Sequence, residues 1–267
     1  MKRAVVGLVA FSLHQTGRLF ARAARVCNHL AAGTLTVEGL RAGIERTWED
    51  FSTSDASVAA GLTRWEEEMI ARFLQKDDDV LLVGAGPGRD LIALMAKGYH
   101  VTAVEPAQRA VAACRRQLAL RGLSADLIEG FFEDISLPRR FDAIIFSGCC
   151  YCFIPESRRR IAALRKAAEH LGPRGRILVN YMTEPPGNPV LMRLARWAAA
   201  VTCSDWHPEP GDVVLPIDST RPLFNYEHRF APGELESEAA AAGLLAVHHC
   251  DFPNAPVIVL QPGQTAG

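Results

Sequence analysis

Three glycines fall within five residues, Gly84, Gly86 and Gly88, between two short apolar runs, and the second run ends in a carboxylate, Glu105. Glycine lets the backbone turn sharply and approach a ligand that any Cβ would push away. A helix starting at about Gly88–Asp90 offers unpaired N–H groups to a polar or negatively charged ligand group. A carboxylate at the tip of a strand can accept two hydrogen bonds from vicinal ribose hydroxyls. Together these residues describe a nucleoside-cofactor site. The competing reading is a glycine turn between buried elements that holds no ligand.

Such a constellation needs a strand, a turn, a helix and a second strand to hold it. Val80-Leu81-Leu82-Val83 has the length and β-branched content of a strand buried on both faces. Asp90–Lys97 has helical spacing in Leu91, Leu94 and Met95 and stops at Gly98. Val101–Val104 is the second strand and delivers Glu105.

A dinucleotide fingerprint, G-x-G-x-x-G, would have its third glycine at position 89, where Arg89 stands. The run G-A-G-P-G, with Glu105-Pro106 after the second strand, instead resembles the class I S-adenosylmethionine-dependent methyltransferases, and so does the F-D-x-[IV] pattern in Phe141–Ser147. The resemblance covers about 63–181 and 224–261. It implies S-adenosyl-L-methionine as cofactor, with Gly84, Ala85, Gly86, Gly88 and Asp90 against its methionine and ribose portions. Glu105 and Pro106 would lie at the ribose hydroxyls. Family members commonly carry an acid just after the glycine that follows the third strand, but after Gly130 this chain has Phe131. The adenine then falls to the Phe132 backbone or to Glu133. Ser147 and the residues to Tyr151 would lie beside the transferring methyl.

The implied fold is α/β, a Rossmann-like seven-stranded sheet, mostly parallel with an antiparallel last strand, helices on both faces and an N-terminal helical extension. Residues 1–62 form the extension or lid, and 63–267 the methyltransferase domain, with an acceptor-covering insertion at about 182–230. The patterning agrees. Helices are expected at about 16–32, from Thr36 to Asp50, and from the capping box Thr63-Arg64-Trp65-Glu66 to Leu74. Trp65 is expected in the core. Ala107–Arg121, a helix from Pro155-Glu156 to about Leu171, and one from about Glu234 follow. Strands are expected at Asp126–Ile128, Phe141–Ser147 and Arg176–Tyr181, the last entered by the turn Gly172–Gly175. Leu244–Cys250 and Val257–Gln261 close the chain as a hairpin turning at Phe252–Pro256. Between them, prolines bracket one helix at about 189–202, and 51–61 is expected as a surface loop.

Bulk properties exclude several classes. The 267 residues carry a formal net charge of −1, so no basic field recruits nucleic acid. Seven cysteines, an odd number, suit a reducing, cytoplasmic compartment. Cys149, Cys150 and Cys152 lie too close along one strand end to converge on a metal, so no metal site is expected. No apolar run spans a bilayer. Met1–Phe11 has a basic start and an apolar stretch, but Arg18, Arg22 and Arg25 follow where a signal peptide would have its cleavage site. Phe20, Ala23, Cys27 and Leu30 make the first helix amphipathic. Such a basic helix either lies on an anionic membrane or packs on the domain as a lid; packing is the preferred reading.

A sulfonium methyl is already activated, so transfer to a small-molecule acceptor by in-line displacement needs placement and exclusion of water. Tyr151 and His228 are the candidate groups on the acceptor side, with His207 behind them. A catalytically silent cofactor-binding protein and a nicotinamide oxidoreductase are the alternatives.

Overall fold

A computed structural model describes residues 2–50, 58–137, 139–183, 188–217, 223–252 and 256–263. Most of the expected 51–61 loop, the closing turn at 253–255 and the prolines Pro185, Pro186 and Pro222 lie outside those residues.

Ahead of the sheet stand the helices α1 (Lys2–Gly33), α2 (Val37–Asp50) and α3 (Arg64–Phe73). The first begins 14 residues earlier than its amphipathic pattern suggests, because Ala4–Phe11 contains no helix breaker except Gly7. Strand and helix then alternate through β1 (Asp79–Val83), α4 (Arg89–Ala96), β2 (His100–Glu105), α5 (Gln108–Leu120), β3 (Asp126–Glu129), β4 (Phe141–Phe146), α6 (Ser157–Glu169) and β5 (Leu171–Asn180). A short 3₁₀ turn, Cys150–Phe153, joins β4 to α6. The rhythm breaks at α7 (Pro189–Thr202) and the hairpin β6 (Asp212–Pro216) and β7 (Phe224–His228), then resumes with α8 (Glu234–Ala241), β8 (Leu244–Cys250) and β9 (Val257–Pro262).

Seven strands form one sheet in the order β3-β2-β1-β4-β5-β9-β8, and β9 runs antiparallel to both neighbours. The order reverses between β1 and β4, which opens a crevice at their carboxyl ends. β5 is longer than expected. It pairs Leu171 with Phe141 and then Arg176 with Ala143, so the Gly172–Gly175 turn survives as an excursion within the strand.

The pleat divides β1 between two cores. Leu81 and Val83 face one side with Phe146, Val179 and Leu235; Val80 and Leu82 face the other with Trp65, Leu91 and Cys114. A third, smaller core gathers Ala32, Val37, Leu40, Ile44, Trp206 and Tyr226 from the end of α1, from α2 and from the insertion. Trp206 ties it further, its indole N–H donating to the Ala32 carbonyl at 3.1 Å. The insertion thus braces α2 from behind.

Arg160, fully buried on α6, gathers the chain around that brace. Its guanidinium meets Glu238 of α8 at 2.8 Å and Glu209 before β6 at 3.0 Å. Tyr151 donates to Glu238 at 2.9 Å. His228 is held between Asp212 (2.8 Å) and Glu234 (3.1 Å), and Tyr226 also donates to Asp212 at 2.8 Å. Glu209, Asp212 and His228 could offer one metal-ligand atom each within 4.8 Å, but all three are engaged in this network.

Gly43 decides how closely α2 seats on the hairpin. A Cβ built there would lie 1.8 Å from the Phe224 carbonyl oxygen, a backbone atom. Gly43→Ala should therefore destabilise the protein by about 1–3 kcal/mol through overpacking. Gly39→Ala, one turn away and 3.4 Å from the Thr36 hydroxyl, should be stabilising by about 0.5–1 kcal/mol. Thermal unfolding of both variants reads the opposite signs; a neutral Gly43→Ala would mean that α2 does not seat on β7 in solution.

Candidate active site

The crevice holds a cavity of about 310 Å³ at the carboxyl ends of β1, β2 and β4. Its floor is the β1–α4 loop. The amides of Gly84 and Ala85 both donate to the Val104 carbonyl, at 2.9 and 3.1 Å, and the Ser147 amide donates to the Val83 carbonyl at 3.1 Å. The three glycines all take positive φ, 85°, 51° and 98°, which any L side chain would strain. Gly88 has a second constraint: a Cβ there would come within 2.9 Å of the Cys114 sulfur.

Glu105 is buried at the tip of β2 and lines the cavity. One carboxylate oxygen accepts the Gly86 amide at 2.8 Å and the other the Ala107 amide at 2.9 Å. Burial pushes its pKa up, and the two amides pull it back. Each oxygen has a further lone-pair site for a ligand hydroxyl.

Beside the loop lies an ionic cluster. Arg89 donates to Glu66 at 2.7 Å and to Asp90 at 2.5 Å. Ser147 donates to Asp90 at 2.5 Å and stands 3.2 Å from Glu66. Glu66 closes the expected capping box, accepting the Thr63 amide. Burial, and next the Asp90 carboxylate, raise the Glu66 pKa to about 7, against the opposing pull of Arg89.

The far wall is apolar and comes from α2 and the 3₁₀ turn. Trp48 packs edge-on against Phe153 with centroids 5.3 Å apart, and Ile44, Ile154 and Phe131 line the same space. Arg41 lies 4.8 Å from the Phe131 ring centroid and pairs with Glu133 (3.1 Å) and Asp134 (2.7 Å). Lys166 donates to the Phe132 carbonyl at 2.6 Å, while the Phe132 ring is buried edge-on to Phe146.

Gly84, Ala85, Gly86, Asp90, Glu105, Pro106, Phe132, Glu133 and Ser147 therefore all border one cavity. Gly88 does not; it caps α4 immediately behind the loop. Tyr151 and His228 need correction. Tyr151 is fully buried, stacked near Phe230 and donating to Glu238, and His228 is fully buried with both ring nitrogens engaged. Neither lines the cavity, because the 3₁₀ turn after Gly148 swings Tyr151 into the core. His207 is exposed and pairs with Glu156. Trp65 lies in the core, as expected.

The described residues of the insertion do not line this cavity either; α2 does. Cys150 turns away toward the Val83 carbonyl (3.2 Å), while Cys149, directed to Asn180 (3.1 Å), and Cys152, which accepts the Met182 amide (3.2 Å), are hydrogen-bonded to each other. Sequence reasoning missed Glu66, Arg41, Ile44, Trp48 and Phe153 as site residues. The Thr63 capping box carried the only signal for Glu66, and it announced a cap rather than a buried ion.

Residues 80–175 match the methyltransferase domain family. A cypemycin N-terminal methyltransferase from a Streptomyces species is 29% identical over 127 residues, 47% of this chain. The match spans about half the length of that relative, 49%. Among solved structures, an S-adenosylmethionine-dependent methyltransferase from Methanosarcina mazei aligns at TM-score 0.58 and 18% identity, covering 76% of this chain and 99% of that one. A glycopeptide N-methyltransferase complexed with S-adenosylmethionine aligns at TM-score 0.54 and 21% identity, covering 76% and 88%. Residues 80–175 thus match a methyltransferase domain, and with the strand order and the glycine loop the chain has the fold of the class I S-adenosylmethionine-dependent methyltransferases. S-adenosylmethionine is the cofactor of that class.

The Glu66 shift has a measurable consequence. A carboxyl whose folded pKa is raised adds stability that is full below the unfolded value near 4.5 and lost as pH rises through about 7. Stability should therefore fall across that window in the wild type, by on the order of 2 kcal/mol from this group. Glu66→Gln should flatten the fall. Denaturant titrations at several pH values compare the slopes, and equal slopes would show that Glu66 is ionised throughout.

Proposed function

We propose that the protein transfers the S-adenosylmethionine methyl group to a small, largely apolar acceptor. The observation that carries this reading is Glu105: a buried carboxylate, oriented by two amides, facing a cavity whose floor is a glycine loop. In this reading the ribose hydroxyls bond Glu105, and the methionine portion lies along Gly84–Gly86 near Asp90 and Ser147. The adenine lies by Phe132 and Glu133. The acceptor enters against Trp48, Phe153 and Ile154, under α2 as the lid, with the inserted hairpin supporting the lid rather than touching the acceptor.

Displacement at the sulfonium methyl requires the acceptor atom in line with the C–S bond and water kept out. The apolar wall supplies both, since a planar or aliphatic acceptor body packed against Trp48 fixes its orientation. The reading assigns no protein base. Arg41, Arg89, Asp90 and Glu133 are in ion pairs, and Glu105 is committed to two amides. The acceptor atom then arrives as a neutral amine or an ionised hydroxyl or thiol. The relatives named for an N-terminal peptide amine and for a glycopeptide amine favour nitrogen.

Calorimetric titration with S-adenosylhomocysteine, with NAD(H) as control, tests the site. Micromolar binding of the first alone is expected. Glu105→Ala removes two hydrogen bonds to a charged group, roughly 1.5–3 kcal/mol each, and should weaken binding at least tenfold. Unchanged affinity in a folded Glu105→Ala protein would sink the assignment. Turnover on a panel of apolar amines and phenols then tests the acceptor class.

A further inference from the structure

Helix α1 is longer than its packing requires. Among its described side chains, those of the last turns touch the body, where Gly33 lets the chain approach Ala195 and Ala198 of α7. Every residue from Val9 to Arg25 is exposed. These include Leu13 (68%), Leu19 (66%) and Phe20 (70%), together with Phe11 and Val9, so large apolar side chains stand in water over several turns. A monomeric soluble protein seldom leaves such a set uncovered.

The pattern says what covers them. Val9, Leu13, Phe20 and Cys27 recur at spacings of four, seven and seven, which keeps them on one side of a helix, while Leu19 lies at its edge and Phe11 on the arginine side. Arg18, Arg22 and Arg25 recur at four and three, and Arg18 lies about 160° around the helix from Phe20 at 3.6 residues per turn. Residues 1–37 contain no Asp or Glu, the first being Glu38. N-terminal to the arginines, Ala4–Phe11 is apolar all round. α7, packed on the end of α1, exposes Val190, Trp197 and Val201 along one of its own faces with Arg193 among them. No helix among the described residues is long and apolar enough to cross a membrane.

We infer that α1 is an interfacial arm that docks the enzyme on an anionic lipid bilayer, apolar face in the acyl boundary and arginines at the headgroups. An acid-free cationic stripe complements an anionic surface, and an apolar stripe opposite it needs a medium that water does not supply. A protein partner recruited by charge would need an acidic surface, and this chain places no acid on the arm with which a second copy could pair. Docking also fixes the orientation of the cavity, because α2, a wall of the cavity, follows α1 after three residues.

The test uses the whole chain and no cofactor, so its result is independent of methyl transfer. Protein is sedimented with vesicles of phosphatidylcholine mixed with phosphatidylglycerol, and with vesicles of phosphatidylcholine alone. Pelleting with the anionic vesicles, weakened by high salt, is expected. Each arginine replaced by alanine among Arg18, Arg22 and Arg25 should cost roughly fivefold in affinity for the anionic vesicles. Leu13→Asp with Phe20→Asp should abolish pelleting while the thermal midpoint stays unchanged, since both side chains are exposed. Wild-type protein that stays in the supernatant with both vesicles overturns the inference. So does a concentration-dependent dimer in ultracentrifugation that Phe20→Asp dissociates without any vesicle binding, which would make the same face a contact between copies.

Discussion

The Glu105 carboxylate and the two amides it accepts set the form of the crevice. A charge this buried is tolerable only when hydrogen-bonded, and the Gly86 and Ala107 amides come from opposite sides, one from the glycine loop and one from the turn into α5. That arrangement holds the tip of β2 against the β1–α4 loop. The loop is held from beneath as well, because Gly84 and Ala85 share the Val104 carbonyl and Ser147 bonds the end of β1. Three strand ends are thereby fixed to one another before any ligand arrives, and a ligand that bonds Glu105 meets a donor frame already in place. Pre-organisation of this kind lowers the ordering cost of binding.

The second constraint is electrostatic. Glu66 and Asp90 are two buried carboxylates sharing one guanidinium, Arg89, with Ser147 donating into the pair. One cation cannot neutralise two buried anions, and the raised Glu66 pKa is how the site relieves that excess. Glu66 begins α3 while Asp90 begins α4, so the pair also joins the helix that precedes the sheet to the helix that follows the glycine loop.

Much of this was legible in the sequence, and for an identifiable reason. The β1–α4–β2 unit depends on short-range rules, and Gly84, Gly86, Gly88 and Glu105 announce it by type and spacing alone. The helix at 189–202 was legible from the prolines that bracket it, and in the fold Asn188 caps it and Cys203, in the αL conformation, ends it. Tyr151 and His228 were misread because their surroundings are long-range. Tyr151 meets Glu238 across 87 residues and shares it with Arg160 across 78, and no local pattern reports a partner that distant. The apolar wall was hidden for the same reason. Trp48 and Phe153 carry no local signal, and only the tertiary fold brings one against the other in the wall of the crevice.

That difference follows from what each half of the site must do. The cofactor half is built from backbone: amides, positive φ and a carboxylate at a strand tip, features that leave a sequence signature because few residues satisfy them. The apolar wall, where the acceptor enters in the proposed function, is built from side-chain surface on α2 and the 3₁₀ turn, and α2 keeps its position through packing on β7 and Trp206. Apolar surface is non-directional and many residues supply it equally, so its sequence constraint is weak. The binding of an activated methyl donor can thus stay constant while the wall opposite changes shape. The Arg160 network fits this division. It lies behind the cavity lining, next to Ile154, and it clamps the hairpin against α6 and α8, and the hairpin sets where α2 stands. In a fold arranged this way, the shape of the proposed acceptor wall depends as much on the brace behind α2 as on the side chains that face the cavity.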